Sequence, residues 1–448
     1  MKCGTMSLMK IETIILGPYT WIINIIGRVS MRISPKLRDM SMNISLFMLA
    51  TLGVIKYLND DIKHVIHYTK DRVNILGFIL LIILLVVSID RHVDYKRLRC
   101  RRSFVVGWLM CFGMMIMMSF VHPVVKGYFL WTLISLLFAI PFAIVWHERD
   151  DFVRLCDMLA RSVLIVAGVF YIVNLIFVPF IPNILSWEYL GIAKNPNNNG
   201  FICTSAYAAA LYMMMRGQKR SFVYAVIMGF SIAMTVASTC RTAELTIAME
   251  TIVGCAYYLA IAKNNEERID AKKMVTTVII VLVVAVAGKY VLEQINHMDL
   301  NVYAADEIAA DAEMHDVSSG RFEIWKAFIA HSTFWGNGNK TKGPQIEGEP
   351  SSIYAHNNAL EILYSSGVIA FVGYIAWIAS GLIFVLRCLL GKCGYHKSYI
   401  LVVMAFIGYF TQAMLEILIY PMCNIPTLMM YVCLMPIILD KREEDIVE

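Results

Sequence analysis

Three residues have the types and surroundings of a phosphate and sugar chemistry. Arg241 closes a tight turn, Ser238-Thr239-Cys240-Arg241, between two apolar stretches. A guanidinium fixed there offers a planar fork for a phosphate. It could equally reach from a span end to lipid headgroups, and the residues alone leave both readings open. Arg321 lies in Ser318-Ser319-Gly320-Arg321-Phe322-Glu323-Ile324-Trp325, which reads as a helix start. A cation there opposes the helix dipole, and that misfit points beyond structure. His356 precedes an apolar stretch in Tyr354-Ala355-His356-Asn357-Asn358. A neutral imidazole is favoured at the electropositive end of a helix and suits a general base. Asn358 and Glu361 have the spacing of a capping box, which explains them structurally. Asn195-Pro196-Asn197-Asn198-Asn199-Gly200 is either turn chemistry or a helix N-terminus that receives an anionic or hydroxyl-rich ligand. Glu250 is the carboxylate nearest the middle of an apolar stretch, whereas Glu416 and Lys289 lie near stretch ends, where snorkelling accounts for them. Trp187, Trp325 and Trp335 fit interfacial anchors, a role compatible with a sugar platform.

The elements that must position these residues are membrane helices. Of 448 residues, 58% are hydrophobic and 16% charged, against about a quarter charged in a soluble domain. The apolar runs have bilayer length, which excludes a soluble enzyme, a nucleic-acid binder and a disordered chain. The expected spans are 12–27, 43–58, 73–90, 104–121, 127–147, 162–182, 201–215, 221–239, 242–262, 274–292, 359–386, 398–420 and 425–440. The first is short, carries Gly17-Pro18 and fits an interfacial position as well. The expected fold is therefore all-α and polytopic, with about 12–13 transmembrane helices. It comprises an N-terminal bundle (1–292), one large extracytoplasmic loop (293–358) and C-terminal helices of the same bundle (359–448).

Charge sets the orientation. Of the 39 Lys and Arg residues, 25 fall in one alternating set of loops, 28–42, 91–103, 148–161, 216–220, 263–273, 387–397 and 441–448. Positive loops stay cytoplasmic. The loop 293–358, Arg241, Arg321 and His356 then face outward, and the C-terminus faces the cytoplasm. The net charge of +5 thus reports topology and not a nucleic-acid partner. None of the eleven Cys falls in a CxxC pair or a zinc spacing. HExxH, GxxxxGK[ST] and GxSxG are missing as well, so the expectation is no metal and no cofactor.

Four ordered features resemble the O-antigen ligase / O-antigen polymerase superfamily of bacterial membrane glycosyltransferases. They are Asn195-Pro196-Asn197 before a span; the small polar run ending in Arg241; Ser319-Gly320-Arg321-Phe322-Glu323-Ile324-Trp325 followed by Gly336-Asn337-Gly338; and His356-Asn357 followed by Gly367. The resemblance covers roughly 160–390. It implies metal-independent, inverting sugar transfer at the outer face of the bacterial plasma membrane, from a glycan carried on undecaprenyl diphosphate to a glycan acceptor. It further implies membrane-lipid contact and association with a repeat-unit flippase and a chain-length regulator. By resemblance, Arg241 and Arg321 hold the diphosphate and His356 deprotonates the acceptor hydroxyl, with Asn195, Asn197, Asn357, Glu361, Trp325 and Gly338 as substrate-binding candidates.

Ala370 stands where the ligase pattern prefers Gly, Thr or Tyr, which tilts the expectation towards a polymerase that builds a capsule, exopolysaccharide or O-antigen. Transfer of the finished glycan to a surface acceptor is the alternative. A polysaccharide transporter or flippase is the rival from another class; it would show duplicated halves and broken helices around midplane charges.

Overall fold

The computed structural model describes residues 34–66, 70–88, 101–121, 149–177, 191–218, 220–265, 271–297, 321–338, 343–344, 354–393, 396–418 and 424–438. The expected spans 12–27 and 127–147, Trp187 and the C-terminal tail lie outside them. Every helix and strand element among the described residues is helical: α1 (Pro35–Ile55), α2 (Asp60–Val65), α3 (Lys70–Ser88), α4 (Arg102–Val121), α5 (Arg149–Phe177), α6 (Pro196–Met215), α7 (Ser221–Ala237), α8 (Arg241–Asn264), α9 (Ala271–His297), α10 (Arg321–Ala330), α11 (Asn358–Leu389), α12 (Tyr399–Ala413), α13 (Ile425–Val432) and α14 (Met435–Ile438). Among the described residues, five stretches are long and apolar enough to cross a membrane, at 102–121, 152–176, 241–264, 274–292 and 358–389, and shorter apolar helices occupy 75–88, 221–237 and 399–413. The protein is an all-α polytopic membrane protein.

Local sequence explains where helices begin. The Asn195 side chain accepts from the Asn198 amide at 3.0 Å, and Pro196 supplies a first-turn residue that needs no N–H partner. Asn424 and Pro426 repeat the device at α13. Ahead of α6, Lys194 donates its amide to Tyr57 O and Asn59 donates to Ile192 O. This short antiparallel pairing ties the approach to α6 to the end of α1.

Two expectations are corrected. The loop at 148–161 is the first part of α5, because Phe152, Leu155, Cys156, Leu159 and Val163 recur at helical spacing and are buried. Its charges are used locally: Arg154 pairs with Asp39, and Asp157 accepts from Tyr212 at 2.8 Å and faces Arg216 at 3.5 Å. The single span expected at 425–440 is broken at Cys433-Leu434 into α13 and α14. Pro436 has no N–H to offer the carbonyl one turn earlier, so a continuous helix loses its bond there.

Packing brings the ends of α6, α8, α11 and α12 together. Helix α4 lies in close backbone contact with α11, where Gly107 and Gly373 face each other; a Cβ on Gly373 would sit 2.6 Å from the Gly107 carbonyl. Small residues at such a crossing maximise van der Waals contact where lipid gives no hydrophobic drive. Beside it, Trp108 meets Phe112 at 4.4 Å, Trp377 at 5.2 Å and Tyr431 at 5.3 Å. Further along, Gly408 of α12 leaves a notch filled by the buried Glu250 side chain of α8: a Cβ there would stand 2.0 Å from Glu250 Oε1. Glu250 is thus an interhelical filler of the α8–α12 interface.

Candidate active site

Side chains from the starts of three helices meet on one carboxylate, and the start of a fourth joins through one of them. Glu416, just past the end of α12, is only 7% exposed. Its Oε1 accepts from Asn197 Nδ2 at 2.6 Å and from the Arg321 guanidinium at 3.1 Å, and its Oε2 meets His356 Nδ1 at 3.1 Å. Asn197 lies in the first turn of α6, Arg321 is the first residue of α10, and His356 immediately precedes the Asn357 cap of α11. The fourth terminus is that of α8. The thiol of its cap residue Cys240 donates to Asn197 Oδ1 at 3.2 Å, so Arg241 starts one residue from the cluster. Burial pushes the Cys240 thiol up to about 12, which keeps it a neutral donor. Helix N-termini carry partial positive charge and unpaired N–H groups. Helix starts with the Arg321 guanidinium on the cluster are suited to an anion.

The segment around His356 is held at several points. His356 adopts φ 46°, a left-handed conformation rare for a residue with a Cβ. The preceding residue is gripped at both backbone polar atoms: Ala355 N donates to Glu361 Oε2 at 3.1 Å, and Ala355 O accepts from Trp325 Nε1 at 2.9 Å. The following residues bracket Glu416. Asn357 Nδ2 donates to Met414 O at 2.9 Å, and Asn358 Oδ1 accepts from Leu418 N at 2.6 Å. The cap of α11 is consequently Asn357, whose Oδ1 accepts from Leu360 N at 3.2 Å. Asn358 does not form the expected capping box, because its side chain is drawn to Leu418 and Tyr409, and Glu361 reaches back to Ala355.

The glycine motifs answer each other. Gly367 breaks α11 at φ 85°, ψ −179°, a conformation open essentially to glycine alone. The break frees backbone groups that the segment after α10 takes up. Asn337 N donates to Tyr364 O at 2.8 Å, Gly338 N to Ser365 O at 2.9 Å, and Val368 N to Phe334 O at 2.9 Å. Gly336 and Gly338, both at positive φ, let that segment approach; a Cβ on Gly336 would lie 2.6 Å from Ser365 O. Buried backbone groups are thereby satisfied, and α10, with Arg321 at its start, is anchored to α11.

The structure thus gathers Arg321, His356 and Asn197 directly, with Arg241 beside them. Trp325, Glu361 and Asn357 hold the backbone that carries His356. Asn195 caps α6, and Gly338 pairs with the break in α11. Glu416 is the residue that sequence reasoning passed over, having read it as a snorkelling span-end acid. A signal existed: Gly408, Gln412 and Glu416 recur every four residues in a largely apolar stretch, from α12 to just past its end. Gln412 Nε2 in fact donates to Thr204 of α6 at 2.7 Å.

No curated protein matches the chain. Residues 223–375, a stretch that carries Arg241, Arg321, His356 and Gly367, match the family model described as O-antigen ligase, and this match supports the likeness to the O-antigen ligase/polymerase-like superfamily.

Proposed function

We propose that the protein polymerises oligosaccharide repeat units carried on undecaprenyl diphosphate, at the outer face of the bacterial plasma membrane. The observation that carries the reading is the placement of Arg321 and His356 on the two oxygens of one buried carboxylate, which also meets the start of α6. The basic ends of the same helices, Arg216 after α6, Lys263 in α8 and Arg387 in α11, lie opposite to the site. That polarity supports an outward site.

A carboxylate can only accept, so the proton between Glu416 and His356 resides on Nδ1, and Nε2 becomes the basic nitrogen. The His356 side chain is 39% exposed, within reach of an acceptor sugar. Arg241 and Arg321 neutralise the diphosphate, reinforced by the helix ends. The acceptor hydroxyl gives its proton to Nε2 as its oxygen attacks the anomeric carbon. The carbon–oxygen bond to the diphosphate breaks, its electron pair leaves with the phosphate, and attack opposite the leaving group inverts the anomeric centre. The chemistry is the same if the acceptor is a finished surface anchor, and the matched family's description favours that second reading.

The glycan of cells lacking the protein separates the two. Single repeats left on their lipid indicate a polymerase; long chains left on the lipid indicate a ligase. Alanine at Arg241, Arg321 or His356, with normal protein levels, should reproduce the deletion, and unchanged glycan in all three would refute the site.

A further inference from the structure

The resting site already contains an anion of its own. Glu416 lies against side chains from the starts of α6, α10 and α11 and spends one oxygen on Arg321, a residue that the proposed chemistry needs for the diphosphate. Both groups are largely buried, with side-chain exposures of 22% for Arg321 and 9% for Glu416. In such surroundings one guanidinium cannot fully neutralise two anions, so the carboxylate and a diphosphate compete for its charge. The two oxygens of Glu416 are also divided: Oε1 serves Arg321 and Asn197, whereas Oε2 serves His356. Losing Arg321 would leave the His356 bond in place.

We propose that Glu416 is an exchangeable counter-anion: the donor diphosphate draws Arg321 away from it, and the carboxylate, no longer neutralised, then acts on His356 alone. This rests on the donor reading above. Its consequence is order. In the resting site Glu416 is shared between Arg321 and His356. Once Arg321 has moved to the diphosphate, the carboxylate holds the Nδ1–H of His356 alone and aims Nε2 at the acceptor. The base is positioned when a donor is present, so an acceptor hydroxyl is activated against a sugar and not against water. The other groups around the pair are Cys240 at the cap of α8, a neutral donor, with Arg241 and Glu244 in the first turn of α8. On α11, Glu361 is engaged with Ala355 and lies within electrostatic reach of His356.

The test is a double-mutant cycle on full-length protein in nanodiscs, with farnesyl diphosphate as the probe. Glu416→Gln keeps the size of the side chain and removes its charge. It should tighten binding, on the order of tenfold, because Arg321 no longer has to be drawn off. Arg321→Ala should weaken binding, and in that background Glu416→Gln should change nothing. Glu416→Asp, which keeps the charge, should bind as the wild type does, and it guards against a general packing effect. Tightening of equal size in the Arg321→Ala background would mean simple repulsion by a nearby acid and would overturn the proposal, as would weaker binding by Glu416→Gln. Unchanged binding in both Arg241→Ala and Arg321→Ala would instead overturn the donor reading itself.

Discussion

Gly367→Ala probes how the backbone break in α11 supports the site. At φ 85°, ψ −179° an alanine is strained by about 1–3 kcal/mol. Its Cβ would also lie 2.3 Å from Phe334 O and 2.5 Å from the Trp335 carbonyl carbon, both backbone atoms that cannot swing aside. Overpacking of that kind adds about 1–3 kcal/mol. The relief available is for the 334–338 segment to withdraw. That costs the bonds of Asn337, Gly338 and Val368 and loosens α10, hence Arg321. The comparison is Gly168→Ala in α5, where a Cβ meets nothing within 4 Å and helix propensity favours alanine by up to about 1 kcal/mol. Thermal unfolding in nanodiscs, followed alongside sugar transfer, should show a lowered midpoint and lost transfer for Gly367→Ala. Gly168→Ala should be unchanged or slightly stabilised. Equal midpoints and equal transfer for the two variants would refute the proposed coupling between the break and α10.

Three more outcomes are expected. Trp325→Phe and Glu361→Leu each release one backbone polar group of Ala355; transfer should fall by roughly tenfold, the rate equivalent of one lost net hydrogen bond, with farnesyl diphosphate binding kept. Asn357→Ala removes both the cap and the bond to Met414, and stability should drop by about 1–2 kcal/mol by thermal unfolding. At the opposite end of α11, the Cys388 thiol donates to Cys393, with Arg387 and Arg101 nearby, and together they hold Cys393 down to about 7. Its alkylation should therefore be half-maximal near neutral pH and faster than that of an ordinary thiol at pH 7, as read by mass spectrometry of maleimide-treated protein.

The membrane helices were legible in sequence because hydropathy and loop charge are local signals. Arg241, Arg321 and His356 stood out because charges are scarce in the loops expected to face outward, and the fold brings two of them, Arg321 and His356, onto one carboxylate. What escaped was contact information. Glu416 looked like any span-end acid until α12 was packed against α6 and α11. Trp325, Glu361 and Asn357 were read only as candidate ligand contacts, whereas the fold adds that they tie down the strained turn at His356. The start of α5 was hidden because charges at Arg149, Arg154 and Arg161 outweighed the helical spacing of its apolar residues. Gly336, Gly338 and Gly367 were visible as a pattern, but only the fold shows that they complement one another across the break in α11.

The most direct measurement of the central claim uses purified protein reconstituted with a lipid-linked oligosaccharide as donor and acceptor. The wild type should yield lengthening chains, and the new linkage should have the opposite anomeric configuration to the donor. His356→Ala, Arg241→Ala and Arg321→Ala should leave the donor unconsumed. Retention of configuration, or normal chain growth by all three variants, would contradict the account.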